Sequence, residues 1–491
     1  MRGDNTRKIF LAFVLTLTFL FAPYMVVSSA EAPILLRPEI PATDRPLTLV
    51  GAVRLAETGY PQLLQEQAEL RAAKRNVTLQ KIKEYNPNSL LSYQHVVATH
   101  NRLTQTLFSS PVLPTTPGPG PENVQMNPKA FSGAGFIIDW APIDFGLHKS
   151  RIDFAKSEYQ VSNESYGLSL LNVRVEAASR YLDALIMKEQ TTVAATNVQR
   201  FADFSTVVHA QVDAGLKPGA DASLADSQLA NARNDLIRAK LNFDLARAAL
   251  AYIVGLGGRL VEIDPGGIVA VTEPQNPQKE SPIFESHPLA LTRQALVTNR
   301  IASRRILDKE YYPKLRFLAG GNLRGTTFNT NRGDVEAPDA SAIFPVIPNW
   351  NLGVMVDFPF FDVLRIQAEK KVVNERIIAA RHYYSLAIQQ LKTEDVQARA
   401  RVDAAVELAA NMPVQVKAAQ QAALQAQARY EAGLATVAQV AEANQILADS
   451  LVKEAVANVG VWKALLAASS VHGNLQPFLS AADQATRKEK P

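Results

Sequence analysis

Few side chains in this sequence are able to make or break bonds, and none is spaced for it. There is no cysteine, which removes disulfides and thiolate metal ligands. A lipid anchor is removed as well, because that signal needs a cysteine at its cleavage point. His95 and His100 are close in the chain, but no carboxylate stands beside them to complete a metal site. A strand facing water inside a barrel accounts for both. The patterns H-E-x-x-H, G-x-S-x-G and the P-loop do not occur. Gly255-Leu256-Gly257-Gly258 is rich in glycine, yet it follows a helical pattern and not a strand, so it reads as a helix stop and not as a phosphate cradle. The expectation is a protein that is not an enzyme, with no catalytic residue, no cofactor and no resident metal.

The elements around these residues point elsewhere. The chain has 491 residues, a net charge of +4 and 7% aromatic residues, with no long Lys/Arg block, which argues against nucleic acid as a partner. Residues 1–30 read as a cleaved signal peptide. Arg2, Arg7 and Lys8 precede an apolar run, and Ser28-Ser29-Ala30 offers the small residues a peptidase needs. That run is short for a membrane-spanning helix, and no later segment is longer. If the exported chain crosses a membrane, it must do so as a closed β-barrel, because hydrocarbon leaves no partner for unpaired backbone groups.

The chain is written twice. Gly135-Phe136-Ile137-Ile138-Asp139 and Gly353-Val354-Met355-Val356-Asp357 match at an offset of 218 (353 − 135). Asp213-Ala214-Gly215-Leu216 and Glu431-Ala432-Gly433-Leu434 match at the same offset of 218 (433 − 215). Two distant matches at one offset indicate duplication. The first copy covers 49–267 and the second 282–475, with 476–491 as a disordered C-terminal tail. Each copy reads as helix, strand, loop, strand, long helix, tight turn, shorter helix.

In the second copy Leu315, Phe317, Ala319 and Leu323 alternate with Lys314, Arg316, Asn322 and Arg324. Trp350, Leu352, Val354, Val356 and Phe358 alternate with Asn349, Asn351, Gly353, Met355 and Asp357. One apolar and one polar face suit either a lipid-facing barrel or a half-buried soluble sheet. The loops at 109–128 and 331–348 are polar and bear prolines, as an exposed rim does.

The helices decide between these. Residues 148–213 hold one glycine and no proline, a run of roughly 65 residues or about 100 Å of helix. Residues 363–430 repeat it, with Pro413 expected to bend the helix. The returns, 221–254 and 436–470, are shorter. Stacking 285–311 on the first and 49–85 on the second makes the lengths balance. Gly215 and Gly433 suit the left-handed residue that ends a helix, with Asp221 and Thr436 as caps for the helices that follow.

These residues resemble the TolC family of outer-membrane efflux proteins over nearly the whole mature chain. The resemblance rests on Tyr311-Tyr312-Pro313-Lys314-Leu315, Trp350-Asn351-Leu352-Gly353, Pro359-Phe360-Phe361-Asp362 and Tyr430-Glu431-Ala432-Gly433-Leu434-Ala435-Thr436, in that order. It implies a mainly α protein with a small transmembrane β part. Each protomer of a homotrimer gives four strands to a shared β-barrel in the outer-membrane bilayer and long helical hairpins to a periplasmic α-barrel. It implies a passive outer-membrane channel for tripartite efflux or type I secretion, partnered by a periplasmic adaptor protein and an inner-membrane pump of RND or ABC type. By the same resemblance, Gly215, Leu216, Gly433 and Leu434 are adaptor-contacting tips, Tyr430 and Asp221 a candidate latch, and Gln439 and Glu442 the residues of the periplasmic aperture. Ala435 stands where the family's latch has an arginine, with Arg429 nearby. Val363-Leu364 replace a glycine pair at one strand-to-helix corner, while Gly146 is kept at the other. The alternative is a periplasmic adaptor with helical hairpins, which leaves two pairs of amphipathic strands unexplained.

Overall fold

The structure is a computed structural model that describes residues 46–99, 107–108, 110–113, 128–268, 283–326 and 343–488, all within one unit, 46–491. The expected signal peptide and most of both rim loops lie outside the described residues. The first copy contains α1 (Leu49–Gly59), α2 (Pro61–Tyr85), β1 (Asn88–Thr99), β2 (Pro128–Ile143), α3 (Leu147–Asp213) and α4 (Gly219–Ile253). The second contains α5 (Pro288–Glu310), β3 (Lys314–Thr326), β4 (Ile347–Asp357), α6 (Val363–Glu431) and α7 (Val437–Val471), and α8 (Gln476–Lys488) closes the chain. Among the described residues no helix is long and apolar enough to cross a membrane.

The long helices are continuous, α3 with 67 residues and α6 with 69. α6 runs through Pro413 unbroken. Proline has no amide to give the carbonyl of Ala409, so one rung of the ladder is missing there. The single helix expected over 49–85 is two. Pro61 takes the first position of α2 and holds Tyr60 in an extended conformation, where a helix cannot pass. Thr48 caps α1, its hydroxyl accepting from the Gly51 amide at 3.1 Å.

The stacking of short helices differs from the expectation. α2 and α4 both pack on α3, and the C-terminal end of α4 meets the α1–α2 junction, where the rings of Tyr60 and Tyr252 lie edge to face at 5.7 Å. α5 and α7 both pack on α6, and His287 at the start of α5 donates to the carbonyl of Ser470 at the end of α7 (3.0 Å). Each copy therefore completes its own return. The α5/α7 column also packs on α3. The lateral order is α2/α4, α3, α5/α7, α6.

The four strands form one antiparallel sheet in the order β1-β2-β3-β4. The two copies join through β2 and β3, Phe136 facing Gly321 and Ile138 facing Ala319. The main core lies where α1, α3, α4, α7 and α8 meet, around Tyr181, Leu185, Leu250, Trp462 and Phe478. The indole of Trp462 donates to the Ile268 carbonyl at 2.9 Å, and Leu47 makes a parallel bridge to Ile263. The tail expected to be disordered is helical over 476–488. Phe478, Ala482 and Ala485 recur at helical spacing, are buried, and set Phe478 edge to face on Trp462 at 6.0 Å.

Candidate functional site

Both hairpins turn by the same device. The Gly215 amide donates to Val212 and the Leu216 amide to Gln211; the Gly433 amide donates to Tyr430 and the Leu434 amide to Arg429. Gly215 and Gly433 have φ of 72° and 77°, open to glycine without steric cost. This leaves Leu216 and Leu434 outside, 72% and 69% exposed, one at the crown of each tip. α7 starts as expected with a capping box: the Thr436 hydroxyl accepts from the Gln439 amide and the Gln439 side chain accepts from the Thr436 amide. The Gln439 side chain is thus committed to its own helix end. Glu442, three residues on, is exposed. Asp221 does not cap α4, which begins at Gly219 with Pro218 ahead of it.

Tyr430 is fully buried between the hairpins, in an apolar cluster with Phe204, Val208 and Ala225 of the first and Val437 and Val440 of the second. Its ring meets Phe204 edge to face at 5.1 Å. Among the described residues its hydroxyl has no hydrogen-bond partner, Asp221 included. Burial first, and then the negative charge of Asp221, push the phenol above its ordinary range. Arg429 reaches back to the Leu434 carbonyl of its own tip (3.4 Å).

At the other end of α3 and α6, the sheet register separates two faces. Leu91, Tyr93, Phe136, Ile138, Trp140, Phe317, Leu352 and Val354 share one. His95 shares it too, paired with Ser132 and exposed beside Tyr93 and Val97, so the expectation that it faces water inside a barrel is corrected; His100 lies outside the described residues. On the polar face the Arg316 guanidinium bridges Asp139 and Asp357. It donates to Asp139 through Nε (3.0 Å) and Nη2, and to Asp357 through Nη1 (3.1 Å). Those aspartates are the matched pair of the repeat, and one arginine ties their strands.

Exposed aromatic side chains gather where strands become helices. Tyr85, Trp140, Phe145, Tyr312, Phe358, Phe360 and Phe361 are each at least 43% exposed. Phe145 stacks on Tyr312 at 6.0 Å, and Phe358 meets Tyr311 at 5.6 Å. The two corners differ. In the first, Phe145 (φ 52°) and Gly146 (φ 100°) both turn left-handed and the Asp144 carboxylate accepts from the Gly146 and His148 amides. In the second, a single 3₁₀ turn over Phe360–Asp362 makes the bend.

Residues 137–256 match the family model described as outer membrane efflux protein. The crystal structure of CusC, described in terms of transmembrane channel formation, superposes with a TM-score of 0.69 at 14% identity, covering 90% of this chain and 99% of that one. The chain has the fold of the outer-membrane efflux channels. The CmeC outer membrane channel of Campylobacter jejuni gives a TM-score of 0.68 at 14% identity over 87% of this chain and 85% of its own. The outer membrane protein VceC of Vibrio cholerae gives 0.65 at 16% identity over 87% and 96%. No curated protein matches by sequence. The family match begins in β2 and ends at the Gly255 stop of α4, one complete hairpin of the efflux-channel fold. Sequence reading placed both tips of that hairpin pair. It missed the aromatic collar, whose members come from the end of α2, from β2 and from three strand–helix connections and converge only in the fold, and it missed that Arg316 joins the two repeated aspartates.

Proposed function

We propose that this chain is the outer-membrane component of a tripartite efflux or type I secretion system. It is a passive homotrimeric conduit from periplasm to exterior, opened at its helix tips by a periplasmic adaptor protein and driven by an inner-membrane pump of RND or ABC type. The observation that supports it most is that sheet and helices end in open edges on the same sides. β1 and the α2/α4 column lie at one flank, β4 and α6 at the other. A sheet edge left open is a template for another strand, and closing both layers with copies of the same chain removes every edge. The apolar sheet face, ended by an aromatic collar, is the surface a lipid-embedded barrel presents.

The tips meet the adaptor through Leu216 and Leu434 beside Gly215 and Gly433. Glu442 supplies the charge of the periplasmic aperture, and Gln439 shapes the same end by holding α7. Tyr430 stands where the two hairpins close, with Asp221 acting on it through its charge. The purified chain is expected to form discrete cation-preferring channels in planar lipid bilayers. Glu442→Gln is expected to weaken the cation preference and the block by trivalent cations, because a ring of three carboxylates concentrates cations at the opening. A chain that stays monomeric and leaves bilayers silent overturns the proposal.

A further inference from the structure

Lys217 is the residue after the crown of the first tip, and its side chain crosses to the second hairpin. Its ammonium lies 4.9 Å from the centroid of the Tyr430 ring, and a Cβ placed on Gly433 would stand 4.0 Å from it. It makes no ion pair among the described residues and is half-buried. Its acceptor is a ring held still. Tyr430 is fully buried, gripped by Phe204 at 5.1 Å, and its hydroxyl is unpartnered among the described residues. An ammonium within about 6 Å of an aromatic face is attracted to it, more strongly as water is excluded. Arg429, the other cation of the tip, is spent on the Leu434 carbonyl of its own hairpin (3.4 Å).

We propose that a cation–π contact from Lys217 to Tyr430, and not a hydrogen bond from the tyrosine hydroxyl, is the clasp that holds the two hairpin tips together. Any opening that draws the tips apart has to break it. The inference rests on the conduit reading above. It makes the ring, and not the hydroxyl, the working part of Tyr430, which is where it departs from a hydroxyl–carboxylate latch between Tyr430 and Asp221.

The test is the open fraction of single channels of the full chain, recorded in planar bilayers. Lys217→Gln is expected to raise the open fraction by about two- to fivefold, the ratio set by one contact of this kind. Lys217→Arg, which keeps a cation over the ring, is expected to behave as wild type. Tyr430→Phe, which keeps the ring and removes the hydroxyl, is also expected to behave as wild type, whereas Tyr430→Leu, which removes the ring and its packing on Phe204 as well, opens the channel at least as far as Lys217→Gln. On the Tyr430→Leu background, Lys217→Gln is expected to add nothing, because the ring it faces is gone. Tyr430→Phe opening the channel, or Lys217→Gln and Lys217→Arg acting alike, overturns the clasp and leaves the conduit reading standing. Wild-type chain that forms no channel overturns both.

Discussion

His287 sits at the start of a helix, and its partners fix the form its ring takes. The Nδ1 of His287 accepts from the Leu289 amide (3.1 Å) while Nε2 donates to Ser470, which only the neutral ring can do. His148, at the start of α3, is held between Glu84 at 2.6 Å and the Ala141 carbonyl at 2.7 Å. Burial first lowers the pKa of His287, opposed by the Ser470 carbonyl and the charge of Glu394. His472, facing Asp395 and Arg399, is also lowered, again mainly by burial. A folded value below the ordinary 6.5 means that the unfolded chain takes the proton first. Stability contributed by this joint is therefore complete above that value and is lost as pH falls through and below it. The midpoint of thermal unfolding in detergent is expected to drop between about pH 7.5 and pH 5.5. His287→Asn keeps an acceptor for the Leu289 amide but does not titrate, so its drop is expected to be smaller; an equal drop rejects the account. None of this was legible in the sequence, because the deciding partner, Ser470, belongs to another helix. The tip glycines were legible because their Schellman bonds are local and leave a local mark, Gly-Leu.

Elements were legible where one residue type dictates them. The length of α3 and α6 follows from the near absence of glycine and proline, and the turns from Gly215 and Gly433. The order in which short helices stack was not, because the joints are made by contacts between distant segments. At the first joint a Cβ on Gly255 would lie 2.4 Å from the Gly59 carbonyl oxygen, and φ there is +80°. Gly258 has φ +85° but open space around it. Gly255→Ala is expected to cost about 2–4 kcal/mol, from strain and overpacking together. Gly258→Ala is expected to lose only the conformational part, about 1–2 kcal/mol. Urea unfolding of the two variants side by side checks this, and equal losses would show that the close approach to Gly59 carries no weight. α8 was missed because its apolar side is short, Phe478, Leu479, Ala482 and Ala485 with alanines for half of it, and it needs Trp462 to bury against. Phe478→Ala is expected to destabilise by about 3–5 kcal/mol, the cost of emptying an aromatic site in a packed core.

At the scale of the whole molecule, the exposed apolar residues of α6 need an account. α6 packs on α5 and α7, yet Val396 and Val414 are each 68% exposed and Leu408 56%. On the opposite flank Ile237, Leu241 and Leu245 of α4 are between 58% and 65% exposed. A protomer alone leaves both stripes in water, along with the free edges of β1 and β4. Apolar stripes on two flanks that cannot meet within one chain fit a ring of copies, each α6 closing on the α2/α4 column of the next. Small residues such as Ala419 and Ala423 on α6, already buried within the protomer, let the helices come close. The expected test is direct. Wild-type chain in mild detergent is expected to run as a trimer by light scattering and to fall to a monomer on boiling. Val396→Glu combined with Val414→Glu places two charges on the stripe, and each buried unpaired carboxylate costs several kcal/mol if the stripe is an interface. That variant is expected to elute as monomer with helical content retained. Leu216→Glu, equally exposed but at the tip, is expected to stay trimeric, since a surface substitution away from an interface changes stability by about 0.5 kcal/mol or less. A Val396→Glu/Val414→Glu variant that remains a full trimer would mean that α6 faces water along this stripe, and the closure of the helical layer by α6 would have to be abandoned even if the strands still close the sheet.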